Sequence, residues 1–208
     1  HYSLLDFGPR QGSRRGFTHR SSTAQVGGLV LTCGYTTPIQ GVIGENKGFA
    51  SINLCCGGAT RYQVAGRDFE INPHQPLFFS PGEEYSYTVD HFNGAAFHVD
   101  LNRLRSVAAA IAGLGVSERR FLTDLERSRV LGEDRRRIGP LLRLFCRQFA
   151  LLDDPSLEFG VYLHCLQIDD LIYRTLALML CPGLDELLQP GPCVRGGISS
   201  RERVFEDL

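Results

Sequence analysis

Six histidines are the side chains best suited to hold a metal ion or carry a proton near neutral pH: His1, His19, His74, His91, His98 and His164. No two of them stand at HxH or HxxxH spacing, so no single strand or helix face brings a pair together. A small metal-binding barrel needs two close histidines and a carboxylate on one strand pair, with a third histidine across the barrel. In the stretch NPHQPLFFSPGEEYSY that third histidine would fall just after the Pro81-Gly82 turn, and the chain has Tyr85 there, followed by Tyr87. A phenol is a poor ligand for a divalent ion in a neutral site, so no metal and no other cofactor is expected. Covalent chemistry is equally bare. The chain has no GxSxG, no P-loop and no glycine-rich dinucleotide turn after a strand. Glu83, Glu84 and His74 are the only candidates for a converging acid–base pair, and the expectation is that the protein is not an enzyme.

What remains is aromatic. Tyr85 and Tyr87 each offer an apolar ring and a hydroxyl. Tyr62, Phe79 and Phe97 share the pattern of inward strand positions, and Asn53 and Cys55 could add polar contacts. Small-molecule pockets are mostly apolar with a few polar handles, which is what this set supplies. A filled core would draw on Ile, Leu and Val in preference to three tyrosines, although a barrel packed solid remains the alternative. His98 falls on the strand face opposite Phe97, as a surface or satisfied histidine. Cys55 and Cys56 are sequence neighbours, too cramped for an ordinary bridge, and read as small apolar strand residues.

The elements that must position these residues follow from punctuation and period. From Val26 to Leu101, short runs of strand character (GLVLTCGY, ASINLCC, TRYQVAG, RDFEI, PLFFS, YSYTVD, GAAFHVDL) are broken by Gly, Pro and Asn. Ala65-Gly66 reads as a tight hairpin. Strict alternation places Tyr85, Tyr87 and Val89 on one face, and Ala95, Phe97 and Val99 likewise. Close strand spacing predicts a small barrel or sandwich. After Asn102 the apolar period becomes helical. One helix is predicted from a capping Asn102 to Gly113, and a second carries Leu141, Phe145, Phe149 and Leu152, with Pro140 in or near its first turn. A third follows a turn at Asp153 to Ser156 and places Leu157, Val161, Cys165, Ile168, Ile172, Leu176 and Met179 in one stripe. So short a connection predicts an antiparallel helix pair. The triplet Arg135-Arg136-Arg137 at a helix start reads as a solvated face.

Residues 1–25, with Arg10, Arg14, Arg15 and Arg20 among Ser and Gly, read as a flexible or partly ordered arm. The predicted divisions are therefore an arm at 1–25, a barrel at 26–101, a helical region at 102–187 and a linker at 188–208. The third helix also carries Leu163, Leu166, Leu171 and Leu178 outside its main stripe. A helix apolar nearly all round must be buried on more than one side, so these four are the expected homodimer contacts.

Composition sets the outer limits. The chain has 208 residues, 43% hydrophobic and 22% charged, which suits a globular fold with a real core. Its net charge of −1 lacks the basic surplus of a module that itself grips DNA. Seven cysteines without a CxxC pair, and no leader, point to reduced thiols and a cytoplasmic location. No apolar run reaches the ~18 residues of a membrane span.

A small barrel followed by an antiparallel helix pair and a new polar helix start resembles the effector-binding half of an AraC-family transcription regulator. The resemblance rests on YQVAGRDFEINPHQPLFFSPGEEYSY, then FHVDLNRL and the helices, and runs from about Val26 to Leu208. SSRERVFEDL resembles the linker and first helix leading to that family's DNA-reading domain. The fold it implies is α+β: a cupin-like barrel followed by an antiparallel helix pair. The function it implies is binding of a small-molecule effector without metal, and pairing as a homodimer. DNA would be bound through a helix-turn-helix domain that these residues lack. Tyr87 and Phe97 fall nearest the family's effector-contacting positions. The competing readings are a metal-free cupin-type enzyme and a dimerisation module with a filled barrel.

Overall fold

The computed structural model describes residues 4–10, 17–113, 122–132, 135–152 and 167–184. Nine strands form one antiparallel sheet: β1 (Leu4–Pro9), β2 (His19–Val26), β3 (Leu29–Thr36), β4 (Ile39–Ile43), β5 (Phe49–Val64), β6 (Arg67–Ile71), β7 (Leu77–Ser80), β8 (Tyr85–Asp100) and β9 (Arg129–Leu131). Among the described residues three α-helices follow β8: α1 (Leu101–Ala112), α2 (Arg135–Leu152) and α3 (Ile168–Leu180). The architecture is α+β, a cupin-like barrel followed by helices. The segment read as an arm contributes to the sheet, since β1 pairs with β4 and β2 with β3. An arm rich in Arg and Ser can do this because its residues only line a sheet edge and need little burial.

β5 and β8 build the frame. Each is 16 residues long, and they pair with one another along most of that length. The early part of β5 and the late part of β8 have β7 and β3 as outer neighbours. The late part of β5 and the early part of β8 have β6 and β4. Two bulges separate these halves. Cys56 is the extra residue on β5, between the pairs Cys55–Gly94 and Gly57–Asn93. Asp90 is the extra residue on β8, between Ala59–His91 and Thr60–Val89. Each bulge bends its strand and reverses which parity faces inward. A fixed alternation through β8 therefore fails at Asp90: Tyr85, Tyr87 and Val89 continue inward as Phe92 and Ala96, while Ala95, Phe97 and Val99 face the other way.

The outward face is covered by helices. Ile52, Phe79, Phe97 and Val99 pack with Leu104, Phe145, Ile172 and Leu176 in one buried cluster. Phe97 meets Phe145 edge-on with ring centres 4.9 Å apart. α1 starts two residues earlier than its sequence suggested. Asp100, still extended at the end of β8, is the cap, and its carboxylate accepts from the N–H groups of Asn102 and Arg103 at 2.8 and 3.0 Å. Gly113 ends the helix in the left-handed region at φ 65°, where only glycine is unstrained. α2 begins at Arg135 and runs through Pro140.

α3 carries Ile168, Ile172, Leu176 and Met179 inward as expected, and α1, α2 and the sheet cover it on several sides. Arg103 links α1 to α3, donating to Asp169 at 2.8 Å with its guanidinium 4.4 Å from the centre of the Tyr173 ring. Arg137 is no solvated charge. It donates to the carbonyls of Leu178 and Met179 at 2.9 and 3.1 Å, closing the C-terminal end of α3 with a cation. The start of α2 thus lies beside the end of α3. The turn expected at Asp153 to Ser156, and the helix between it and Cys165, lie outside the described residues.

Candidate functional site

The inner face of the barrel holds a cavity of about 150 Å³. At ~10–15 Å³ for each water by the same measure, that is room for roughly ten to fifteen waters, or a ligand of about ten non-hydrogen atoms. β8 supplies Tyr85, Tyr87, Val89, Phe92 and Ala96 to the wall, and β5 supplies Asn53, Thr60 and Tyr62. β3 adds Thr32 and Thr36, β4 adds Ile39, and Phe7, His19 and Tyr35 stand at the exposed side. Phe7 and His19 meet edge-on there, with ring centres 5.7 Å apart.

An aromatic series backs the cavity. Tyr62 stacks on Phe78 with centres 4.0 Å apart, Tyr85 meets both edge-on, and Tyr87 lies 6.5 Å beyond Tyr85. Burial, with smaller contributions from Tyr85 and Asp6, pushes the Tyr87 hydroxyl up to about 12, so it stays a neutral phenol at any physiological pH. Among the described residues, no Asp, Glu, Lys or Arg lines the cavity. Two polar atoms in its wall are buried without a hydrogen-bond partner: Asn53 Nδ2 and Thr60 Oγ1. An unmade hydrogen bond of this kind costs on the order of 1–3 kcal/mol, which a bound polar group would recover.

Of the seven side chains singled out from sequence, Tyr62, Tyr85, Tyr87 and Asn53 come together around this cavity. Phe79 and Phe97 do not. Both lie fully buried on the helix-covered face, because the bulge at Asp90 turns Phe97 outward and the pairing Ile52–Phe79 holds Phe79 on the same side. Cys55 faces inward but lines the aromatic cluster behind the cavity. Its thiol donates to the carbonyls of Gly57 and Gly58 at 3.4 and 3.6 Å, across the Cys56 bulge. Phe92 and Ala96 are wall residues that period-two reading misses, since both follow the bulge at Asp90, whereas Thr60 shares the face of Tyr62 two residues on. Phe7 and His19 were missed because they lie in the segment taken for an arm.

The acid–base candidates do not converge. Glu83 accepts from the N–H of Ser128 at 3.2 Å and from its hydroxyl, while Glu84 and His74 are exposed and none of the three lines the cavity. Among the described residues no group of three or more His, Cys, Asp or Glu is placed to hold a metal ion. Leu171 is 40% exposed on α3, and Leu178 is half-buried against the helical core. Leu163 and Leu166 lie outside the described residues. No described helix is long and apolar enough to cross a membrane.

No protein-family model matches the chain, and no curated protein matches it. Solved structures do. The AraC-like transcriptional activator CuxR is similar with a TM-score of 0.64 and 16% identity, covering 86% of this chain and 62% of that one. A cupin superfamily protein from Desulfitobacterium hafniense matches 40% of this chain and 78% of its own at a TM-score of 0.34 and 10% identity. KdgF from a Halomonas species matches 45% of this chain and 82% of its own, at 0.30 and 15%. The chain spans less than two thirds of the activator's length. Over that span it shares the activator's fold, a barrel with its helices.

Proposed function

We propose that this chain is the effector-sensing and dimerisation domain of an AraC-type transcription regulator, and not an enzyme. On this reading the barrel binds an uncharged small molecule without metal, the helices pair two copies, and a helix-turn-helix domain of the full-length cytoplasmic protein binds DNA. One observation carries it: a tyrosine-walled cavity with no Asp, Glu, Lys or Arg among its described lining residues, where Asn53 Nδ2 and Thr60 Oγ1 are buried without a partner. A barrel that only filled space would have little reason to bury two unmade hydrogen bonds beside open volume. The likeness to the activator's fold supports the regulatory assignment.

Calorimetric titration with a panel of uncharged aromatic molecules of about ten non-hydrogen atoms tests the reading. At least one should bind at one site per chain, and Tyr87→Ala should weaken it by ~1–3 kcal/mol. Phe97→Ala should instead cost about 3–5 kcal/mol of folding stability and leave that affinity within twofold at a temperature where the variant is folded. Full affinity in a folded Tyr87→Ala protein would favour the filled barrel. Stoichiometric iron, manganese, nickel or zinc in the purified protein would contradict metal-free binding.

A further inference from the structure

Outside the barrel, Arg67, Arg127 and Arg129 line an open hollow of about 360 Å³, together with Thr123, Asp124 and Ser128. Arg67 opens β6, Asp124 lies in the 3₁₀ turn Leu122–Leu125, and Arg129 opens β9. Among the described residues of its wall there are three positive charges and one negative. That one carboxylate is already engaged, accepting from Arg129 Nη1 at 3.1 Å. Ser128 is engaged too, through its N–H and hydroxyl, by Glu83. The other two nitrogens of Arg129, Nε and Nη2, are buried with no acceptor. Arg67 and Arg127 form no ion pair among the described residues, and Arg67 lies 5.4 Å from the centre of the Phe69 ring.

A half-buried guanidinium with two unmade hydrogen bonds is costly. Burial lowers the proton affinity of Arg129, Asp124 and Cys181 raise it, and the neighbouring Arg137 lowers it. The deficit here is of acceptors and of negative charge together. We infer that this hollow binds a phosphate group, as inorganic phosphate or carried on a small molecule. A dianion balances the surplus of two positive charges, and its oxygens match the planar forks of arginine. A single carboxylate would leave one charge unbalanced and offers fewer acceptors. The barrel cavity shares none of its described lining residues with this site.

The test is titration of the whole chain with inorganic phosphate at constant ionic strength, with sodium chloride and sodium acetate as parallel arms. Phosphate should bind saturably at one site per chain, at least tenfold more tightly than acetate, and chloride should give no saturable signal. Arg67 and Arg127 are exposed, so Arg67→Ala and Arg127→Ala should fold as the parent does. Each should weaken phosphate at least tenfold, and the double variant should abolish the signal. Phosphate binding that persists in a folded double variant overturns the assignment. So does a phosphate effect that chloride reproduces at equal ionic strength.

Discussion

Residues at this site work by staying neutral. Tyr87 keeps its proton because burial disfavours the phenolate, and its ring and hydroxyl both remain available to an uncharged partner. His98 shows the same physics in the opposite direction. It follows Ala96 along the inner face of β8, with Ser51 Oγ 3.3 Å from its Nδ1, and burial lowers its pKa to about 4. Above pH 6.5 both folded and unfolded forms are neutral at this residue, so it adds no pH dependence there. As pH falls from 6.5 towards 4, the unfolded chain takes up a proton that the folded chain refuses, and stability is lost. The total is on the order of 3 kcal/mol. Denaturant unfolding of the parent should therefore weaken across that window, and His98→Gln should flatten the slope over the same pH range. A parallel slope in the variant would mean that His98 titrates normally in the fold.

At the scale of elements, the two bulges decide which side chains share the cavity. Gly58 sits between them at φ 80°, and a Cβ there would lie 1.2 Å from the carbonyl oxygen of His91 on β8. Backbone on a central strand cannot give way as a side-chain tip can. Gly58→Ala should thus cost about 3 kcal/mol or more, measured by urea unfolding, and should disturb the cavity with it. A variant as stable as the parent would mean that the bulges can shift register, and that the wall is not set by them. The helices show a matching economy: Asp100 ends β8 and caps α1 at once, and Arg137 of α2 closes α3. Arg10, just past β1, ties that edge strand to the Asp90 bulge through a 2.8 Å ion pair. Both partners are about half exposed, so its worth is at most about 1 kcal/mol.

For the whole molecule, the helical layer decides how much apolar surface is left for a second copy. α3 packs against α1 and α2, and of the four leucines outside its main stripe Leu178 is half-buried there, while Leu163 and Leu166 lie outside the described residues. Leu171 on α3 and Leu144 on α2 remain 40% and 43% exposed. A two-fold pair of standard size would bury on the order of 1,600 Å² in total, and would have to recruit more than these two side chains. On the proposed reading, sedimentation at micromolar concentration should show a species near twice 23.1 kDa. Leu171→Glu should release monomers while leaving the barrel folded. A single 23.1 kDa species, unchanged on concentration, would remove homodimerisation from the proposal.

Local pattern missed β9, a strand inside the region expected to be helical that pairs with β7. It gave the broad order of strands and then helices, with the Ala65-Gly66 hairpin, the Gly113 cap and the stripe from Ile168 to Met179 readable from period and punctuation. The cavity's tyrosines were legible for the same reason, since Tyr85 and Tyr87 lie on an unbroken alternation and Tyr62 pairs directly with Tyr87. What lies beyond the bulge on β8 needed the tertiary structure. The extra residue at Asp90 leaves no local signature, yet it moves Phe97 out of the cavity and brings Phe92 and Ala96 into it. Strand partners gave the rest: β2 is too polar to announce itself as a strand and β1 is a short run in the segment taken for an arm, and pairing with β3 and β4 makes them strands. The arginine hollow was equally invisible, because Arg67 and Arg129 are distant in sequence and meet only where β6 and β9 come together.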